Sequence, residues 1–263
     1  KRVNLLKWIR ERALTFLESM SKRRLLKARA DKLEAIRTFF KAKDVIEVDT
    51  FCLASGVIVD EHIDLMRVIN DKTPLCLLSS PEGPMKQLLS QGSGDIYQLG
   101  HVYRQGEQGA KHSPAFTMLE WYQVGAELNS FIKTNCELLS LFTGPQPITF
   151  TSYHEAFVKY ADCNDLLQET LAKALNLAGI SFEGELEALE HLVWGTLIEP
   201  KLGKAHFEVI TDYPESQAAL AQIKNQRAQR FEIYFQGMEL ANGYVELQAG
   251  AAYHKRLDQE NNK

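Results

Sequence analysis

Apolar residues at three- and four-residue spacing dominate the first third of the chain. Leu5, Leu6, Ile9, Ala13, Phe16 and Leu17 predict a helix over residues 3–20. Leu26, Ala30, Leu33, Ile36 and Phe40, with Lys and Arg on the opposite face, predict a stronger amphipathic helix over 23–43. The period then shortens. "DVIEVDTFCL" reads as a strand, "SSPEGPMKQLLSQG" as a turn and short helix, and "DIYQLGHVY" and "FTMLEWYQVG" as two strands joined by a polar loop. Ser80 is a candidate N-cap for the short helix, and Pro84 predicts that it starts at about that residue. "ELNSFIKTNCELLSLFTG" predicts a helix ended by Gly144. Residues 151–180 and 185–203 read as helical, and "AHFEVITDYP" as a strand ending at Pro214. "QRFEIYFQGMELANGYVEL" reads as strand, turn and second strand, and the tail from Ala251 as a polar helix. Strands joined as hairpins and flanked by helices predict an α+β fold with an antiparallel sheet. No repeat, low-complexity linker or clear domain boundary interrupts the pattern.

Bulk properties narrow the function classes only a little. The 263 residues suffice for a core without covalent staples. A net charge of −4 makes no case for broad nucleic-acid binding. Cys52, Cys76, Cys136 and Cys163 show no metal-ligand spacing and are expected to be reduced thiols. No apolar run reaches the length of a membrane span, and no secretory signal is visible, so a cytoplasmic protein is expected. The chain opens on Lys1 rather than Met, and its native start is expected to lie upstream.

Candidate chemistry concentrates in three places. In "FTMLEWY" the period of two puts Phe116, Met118, Glu120 and Tyr122 on one face, so a carboxylate shares that face with apolar residues. Glu120 then needs a partner, which a purely structural Arg or backbone contact also satisfies. Arg104, in phase with Ile96, Gln98 and Val102 at the end of the preceding strand, suits a bidentate clamp on phosphate or carboxylate. A surface salt bridge suits it equally. In "GMELANGYVEL", Glu239 and Glu246 flank Asn242–Gly243, a dipeptide that favours a kink. Such a kink would bring two carboxylates and an amide toward one spot, suited to Mg²⁺ with substrate phosphates or to an ammonium group. Two solvated glutamates fit the same spacing. Glu82, after Pro81, projects either into a cleft or simply toward a helix N-terminus.

Together, "SSPEGPMKQLL", "VYRQGEQGAKHSPAFTMLEWY", "YPESQAALAQI" and "RFEIYFQGMELANGYVEL", in this order, resemble the class II aminoacyl-tRNA synthetase core of the lysyl type. The likeness is strongest to the short lysyl paralogues that modify elongation factor P. It implies a catalytic domain over residues 25–263, preceded by a helical extension over 1–24. It implies ATP and Mg²⁺ as reactants, lysine or β-lysine as substrate, elongation factor P as protein partner, and a homodimer. Arg104, Gln105, Gly106, Ser113, Phe116, Glu239 and Leu240 would line the ATP site. Ser80, Pro81, Glu82, Glu120, Tyr122, Asn242 and Glu246 would line the amino-acid pocket, and Glu239 with Glu246 would hold the metal. Arg104 and Glu246 would carry the catalysis.

Four departures stand out. The family's Arg-x-Glu reads Arg104-Gln105-Gly106, with the glutamate displaced to Glu107. Its His-Asn-Pro-Glu-Phe reads His112-Ser113-Pro114-Ala115-Phe116, and Phe51 stands where a proline is usual. The Gly-rich third motif, with its arginine, is not reached by Lys263 and is expected to follow it. Two other readings compete: a catalytic fragment of a lysyl-tRNA synthetase, and an inactive paralogue that binds a partner. Nothing in residues 1–24 resembles an anticodon-binding barrel, so tRNA is not an expected partner.

Overall fold

The computed structural model describes residues 2–3, 22–55, 64–69, 74–109, 112–248, 250 and 256. Contacts divide the chain into two compact units, Lys1–Pro145 with Gln248–Lys263, and Gln146–Leu247. The helix expected over residues 3–20 lies outside the described residues, except that Val3 sits in a strand.

In the first unit the strands are Arg2–Val3 (β1), Ile46–Glu47 (β2), Leu53–Ala54 (β3), Arg67–Val68 (β4), Leu75–Leu77 (β5), Ile96–Tyr103 (β6) and Ala115–Tyr122 (β7). The helices are Lys22–Lys41 (α1), Glu82–Ser90 (α2) and Leu128–Thr143 (α3). β6 and β7 form the expected antiparallel pair, from Ile96 opposite Tyr122 to Tyr103 opposite Ala115. β1 pairs antiparallel with β7 through Val3 and Leu119. β2 pairs with β6 in parallel, which the antiparallel expectation misses.

The single strand expected over "DVIEVDTFCL" is two short ones in different sheets: β2 joins β6, while β3 pairs with β5. The break has a local cause. The Gln98 side chain accepts the Thr50 N–H at 2.9 Å, drawing the chain out of the ladder.

The period-two pattern of β7 separates two environments. Trp121 packs against Phe40 of α1 and Phe131 of α3 at ring separations of 5.6 Å. Phe40 also stacks on Tyr97 at 4.3 Å, and an α1 arginine, Arg29, donates to Thr117 on the same face. The helices therefore cover the Thr117–Leu119–Trp121 face. The opposite face, with Phe116, Met118, Glu120 and Tyr122, meets α2, whose Met85 packs with Ile96 and Tyr122.

α2 begins at Glu82, two residues before the expected start at Pro84. Proline is tolerated there because the first-turn N–H groups have no intrahelical acceptor. The cap position is Pro81 rather than Ser80, although the Ser80 hydroxyl still accepts the Glu82 N–H at 3.2 Å.

In the second unit the strands are Ile148–Ser152 (β8), Phe207–Thr211 (β9), Tyr213–Pro214 (β10), Ile223–Lys224 (β11), Arg227–Ala228 (β12), Arg230–Phe235 (β13) and Met238–Tyr244 (β14). The helices are Tyr153–Ala161 (α4), Gln168–Leu177 (α5) and Leu186–Val193 (α6). β14, β13 and β9 are antiparallel neighbours, and β8 joins β9 in parallel. β8 lies where the hydrophobic pattern shows no strand. Its Ile148 and Phe150 are exposed, so the usual inside–outside contrast is missing.

α4 opens on a capping box between Ser152 and Glu155. The strand expected over "AHFEVITDYP" splits at Asp212, whose φ of 56° takes the chain out of extended geometry. Glu208 of β9 is a buried carboxylate satisfied on all sides. Thr151 and Tyr160 hydroxyls, the Gly203 N–H and Lys159 donate to it at 2.8 to 3.2 Å. Burial pushes its carboxyl up, but these donors outweigh burial and hold it below the usual carboxylate range.

β13 and β14 form a two-residue hairpin at Gln236–Gly237, where φ values of 57° and 75° match the turn that suits twisted strands. The turn is therefore not at Asn242–Gly243. Asn242 lies inside the ladder opposite Glu232, and Gly243 opposite Phe231.

Candidate active site

Two sets of polar side chains occupy the sheet faces, one in each unit. The first is built on the β6–β7 hairpin and the turn before α2. Tyr103 donates its N–H to the Leu78 carbonyl at 3.0 Å, which fixes the Ser80–Pro81–Glu82 turn beside the end of β6. Arg104 follows immediately. Its N–H donates to the Pro114 carbonyl at 2.9 Å, closing the loop at its base.

The Arg104 guanidinium lies over the Phe116 ring, 5.2 Å from its centroid, and reaches Glu107 at 3.3 Å. Only 13% of its side chain is exposed. The glutamate displaced along the motif thus still holds this arginine, at i+3. Beyond it, Gln105, Gly106, Gln108 and Gly109 are exposed. Gln105 donates its N–H to Asp64 at 2.9 Å, and Gly106 takes a φ of 77° that favours glycine.

On the same face of β7, Glu120 is 1% exposed and accepts the Tyr122 hydroxyl at 2.9 Å. Gln98 stands opposite it on β6. Ser80 and Pro81 are buried, and Glu82 is half-buried in an ion pair with Lys86 at 2.7 Å. The sequence pattern misses Lys86, since one turn of helix toward Glu82 is an ordinary surface spacing. Arg104, Phe116, Glu120 and Tyr122 are therefore gathered along one hairpin, with Glu82 on a helix packed against it. Ser113 is half-buried in the loop.

The second set lies on the β13–β14 hairpin. The ladder shifts register between Ile233 and Tyr234, so that Tyr234 faces Glu239 while Ile233 faces Ala241. This bulge at Leu240 reverses the alternation. Glu239 and Asn242, three residues apart, consequently share the face that carries Arg230, Glu232 and Tyr234. The Leu240 side chain is buried in the core, so a nucleotide contact there falls to its backbone.

Glu232 is the centre of this face. It accepts from Arg230, from the Tyr234 hydroxyl at 2.6 Å and from the Asn242 amide at 3.3 Å. Arg230 stacks on Tyr213 at 4.7 Å and donates to the Gln217 carbonyl at 3.0 Å. Burial pulls its guanidinium down, but Glu232 and Glu239 outweigh burial and hold it above its ordinary value. Burial first, then these carboxylates, push the Tyr213 and Tyr234 hydroxyls well up. Arg230 and Glu232 are absent from the residues expected of the site. A signal was present: "RFEIYF" carries a cation and an anion in phase with a buried tyrosine.

Because the ladder runs unbroken past Asn242–Gly243, the expected kink is absent. Glu246 is half-buried beyond the strand end, where its carbonyl accepts the Gln222 amide at 2.9 Å and its backbone bridges to Ala221. Among the described residues no group of three or more His, Cys, Asp or Glu converges as a metal cage.

Known proteins bear out the resemblance. The family model of class II tRNA synthetases (D, K and N) matches residues 5–263. The chain belongs to the class II tRNA synthetase family. Relatives named elongation factor P–(R)-β-lysine ligase include one from Photobacterium profundum, 38% identical over 90% of this chain and 78% of its own. The Vibrio cholerae relative is 37% identical over 90% and 78%. That of Salmonella typhi is 35% identical over 95% and 81%. The α+β architecture and its antiparallel hairpins are those of the family, and no helix among the described residues is long and apolar enough to cross a membrane.

Proposed function

We propose that the chain activates lysine or β-lysine with ATP and ligates it to a lysine of elongation factor P in the cytoplasm. The observation that carries this is Arg104, half-buried on Phe116 and tied to Glu107, on a face that also presents Glu120 and Tyr122. A guanidinium held in this way is prepared to meet charge developing on phosphorus. In the first step a carboxylate oxygen of the amino acid attacks the α-phosphorus of ATP, and the bond to pyrophosphate breaks. In the second, the acceptor amine attacks the adenylate carbonyl, AMP leaves and the amine loses a proton.

Arg104 holds the α-phosphate and the attacking carboxylate, while Gln105, Gly106, Ser113 and Phe116 line the nucleotide. Ser80, Pro81, Glu82, Glu120, Tyr122, Asn242 and Glu246 receive the cationic amino acid, whose ammonium groups need carboxylates. Glu239 is assigned to Mg²⁺ and the Leu240 backbone to the nucleotide. The ion supplies neutralisation of the phosphate charge. Glu246 is assigned with Glu239 to the same ion, as well as to the substrate ammonium.

The experiment is pyrophosphate exchange with lysine and with (R)-β-lysine, followed by transfer to elongation factor P or to tRNA. Exchange with transfer to elongation factor P is expected. Transfer to tRNA instead identifies a synthetase fragment, and no exchange with either amino acid identifies a binding paralogue.

The active form is proposed to be a homodimer. Ile36 and Phe40 of α1 are packed within the unit and are not available to an interface. Leu26, Ile46 and Phe51 remain exposed and supply the apolar area. Sedimentation at tens of micromolar (roughly the weak end for a specific dimer) is expected to show dimer, and monomer alone would refute it.

A further inference from the structure

We infer that Lys86 is a positioning residue that sets which amine Glu82 accepts and how tightly; this rests on the reading of Glu82 as an acceptor of substrate ammonium. The geometry is an internal rehearsal of that contact. Lys86 Nζ donates to Glu82 Oε1 at 2.7 Å, one turn along α2, with only 19% and 14% of the two side chains exposed. This is no solvated surface pair. The helix is clamped on both sides of it. The Ser80 hydroxyl accepts the Glu82 N–H, and Met85 is fully buried against Ile96 and Tyr122. Glu82 therefore cannot swing far from Lys86, and the pair lies on the helix packed against the face of β7 that presents Glu120 and Tyr122.

A substrate ammonium approaching Glu82 meets a carboxylate already neutralised in part. It gains less attraction than a bare carboxylate would offer, and it is repelled by the Lys86 ammonium unless it arrives on the far side of the carboxylate. Like charges within a few ångströms disfavour one another strongly at low dielectric. A carboxylate has about four acceptor directions, and Lys86 occupies one at Oε1. The remaining directions are selected by geometry rather than by charge alone. Moving a substrate amine by one carbon, as between lysine and β-lysine, changes that direction. Lys86 thus converts a general attraction for cations into a directional one, at the expense of raw affinity.

The test is calorimetric binding of lysine and of (R)-β-lysine to wild type, Lys86→Met and Lys86→Arg, with exchange kinetics alongside. Lys86→Met is expected to bind both amino acids about tenfold more tightly, the scale of one charge-assisted hydrogen bond. Its preference between the two should narrow, and its kcat should fall, because the amine is now held in unproductive directions. Lys86→Arg keeps a cation at Glu82 and is expected to retain the wild-type preference. A merely structural lysine would lower the active fraction and leave KM and preference unmoved. Unchanged or weaker binding by Lys86→Met, with wild type binding normally, overturns the inference alone. A wild type that binds neither amino acid overturns the reading of Glu82 and the inference with it. If Lys86→Met fails to fold, Lys86→Gln replaces it under the same criteria.

Discussion

Arg104→Ala is expected to lower amino-acid-dependent pyrophosphate exchange by about 10²–10³-fold, the usual result of removing one group aimed at developing charge. The loss should fall mainly on kcat, because the guanidinium is matched to the transition state more than to bound ATP. Arg104→Lys is not expected to rescue. An ammonium is a point donor and cannot present the planar fork that spans a phosphate oxygen and a carboxylate oxygen together. It would also lose stacking on Phe116. Glu107→Gln provides a graded control. It removes the charge that holds the arginine at 3.3 Å but leaves the guanidinium in place, so a smaller loss is expected. Exchange retained in Arg104→Ala would refute the role given to this residue. Measuring exchange rather than complete transfer keeps the result independent of the protein acceptor.

The second large effect concerns stability. Arg230→Leu is expected to cost about 3 kcal/mol in urea unfolding, because it strands the buried Glu232 carboxylate. The Tyr234 and Asn242 donors to Glu232 survive the substitution, which keeps the loss near the lower end for a broken buried pair. Combining Arg230→Leu with Glu232→Leu should recover part of the loss, since a buried pair replaced by apolar groups is often nearly neutral. The coupling measured by the double-mutant cycle is therefore expected to be large. A loss under about 1 kcal/mol in the single variant would mean that the pair behaves as a solvated surface bridge. Because Glu232 also receives the Asn242 amide, the variant should disturb the orientation of Asn242.

Part of the packing around the β6–β7 hairpin was readable from period and residue type. Glu120 in an apolar phase announced a buried carboxylate, and the structure supplies its partner, Tyr122, two residues along the same face. The adjacency of β6 and β7 followed from two alternating runs around one loop, and the register agrees. The turn expected at Asn242–Gly243 was misread because Asn-Gly is a strong local turn signal. Here the ladder partners Glu232 and Phe231 hold both residues extended. The turn went instead to Gln236–Gly237, where a weaker dipeptide sits between two apolar strand ends.

The sequence by itself determined the α+β class, the hairpin that carries Arg104, and the family, because alternation and motif order are local and survive without coordinates. Only the tertiary structure decided which charges are neighbours. It gave Glu107 to Arg104 and Lys86 to Glu82. It set the bulge at Leu240, which turns Glu239 and Asn242 to one face, and buried Arg230 against Glu232 and Tyr213. Those choices depend on register and burial. A one-residue shift in pairing reverses every face, and no local spacing records it.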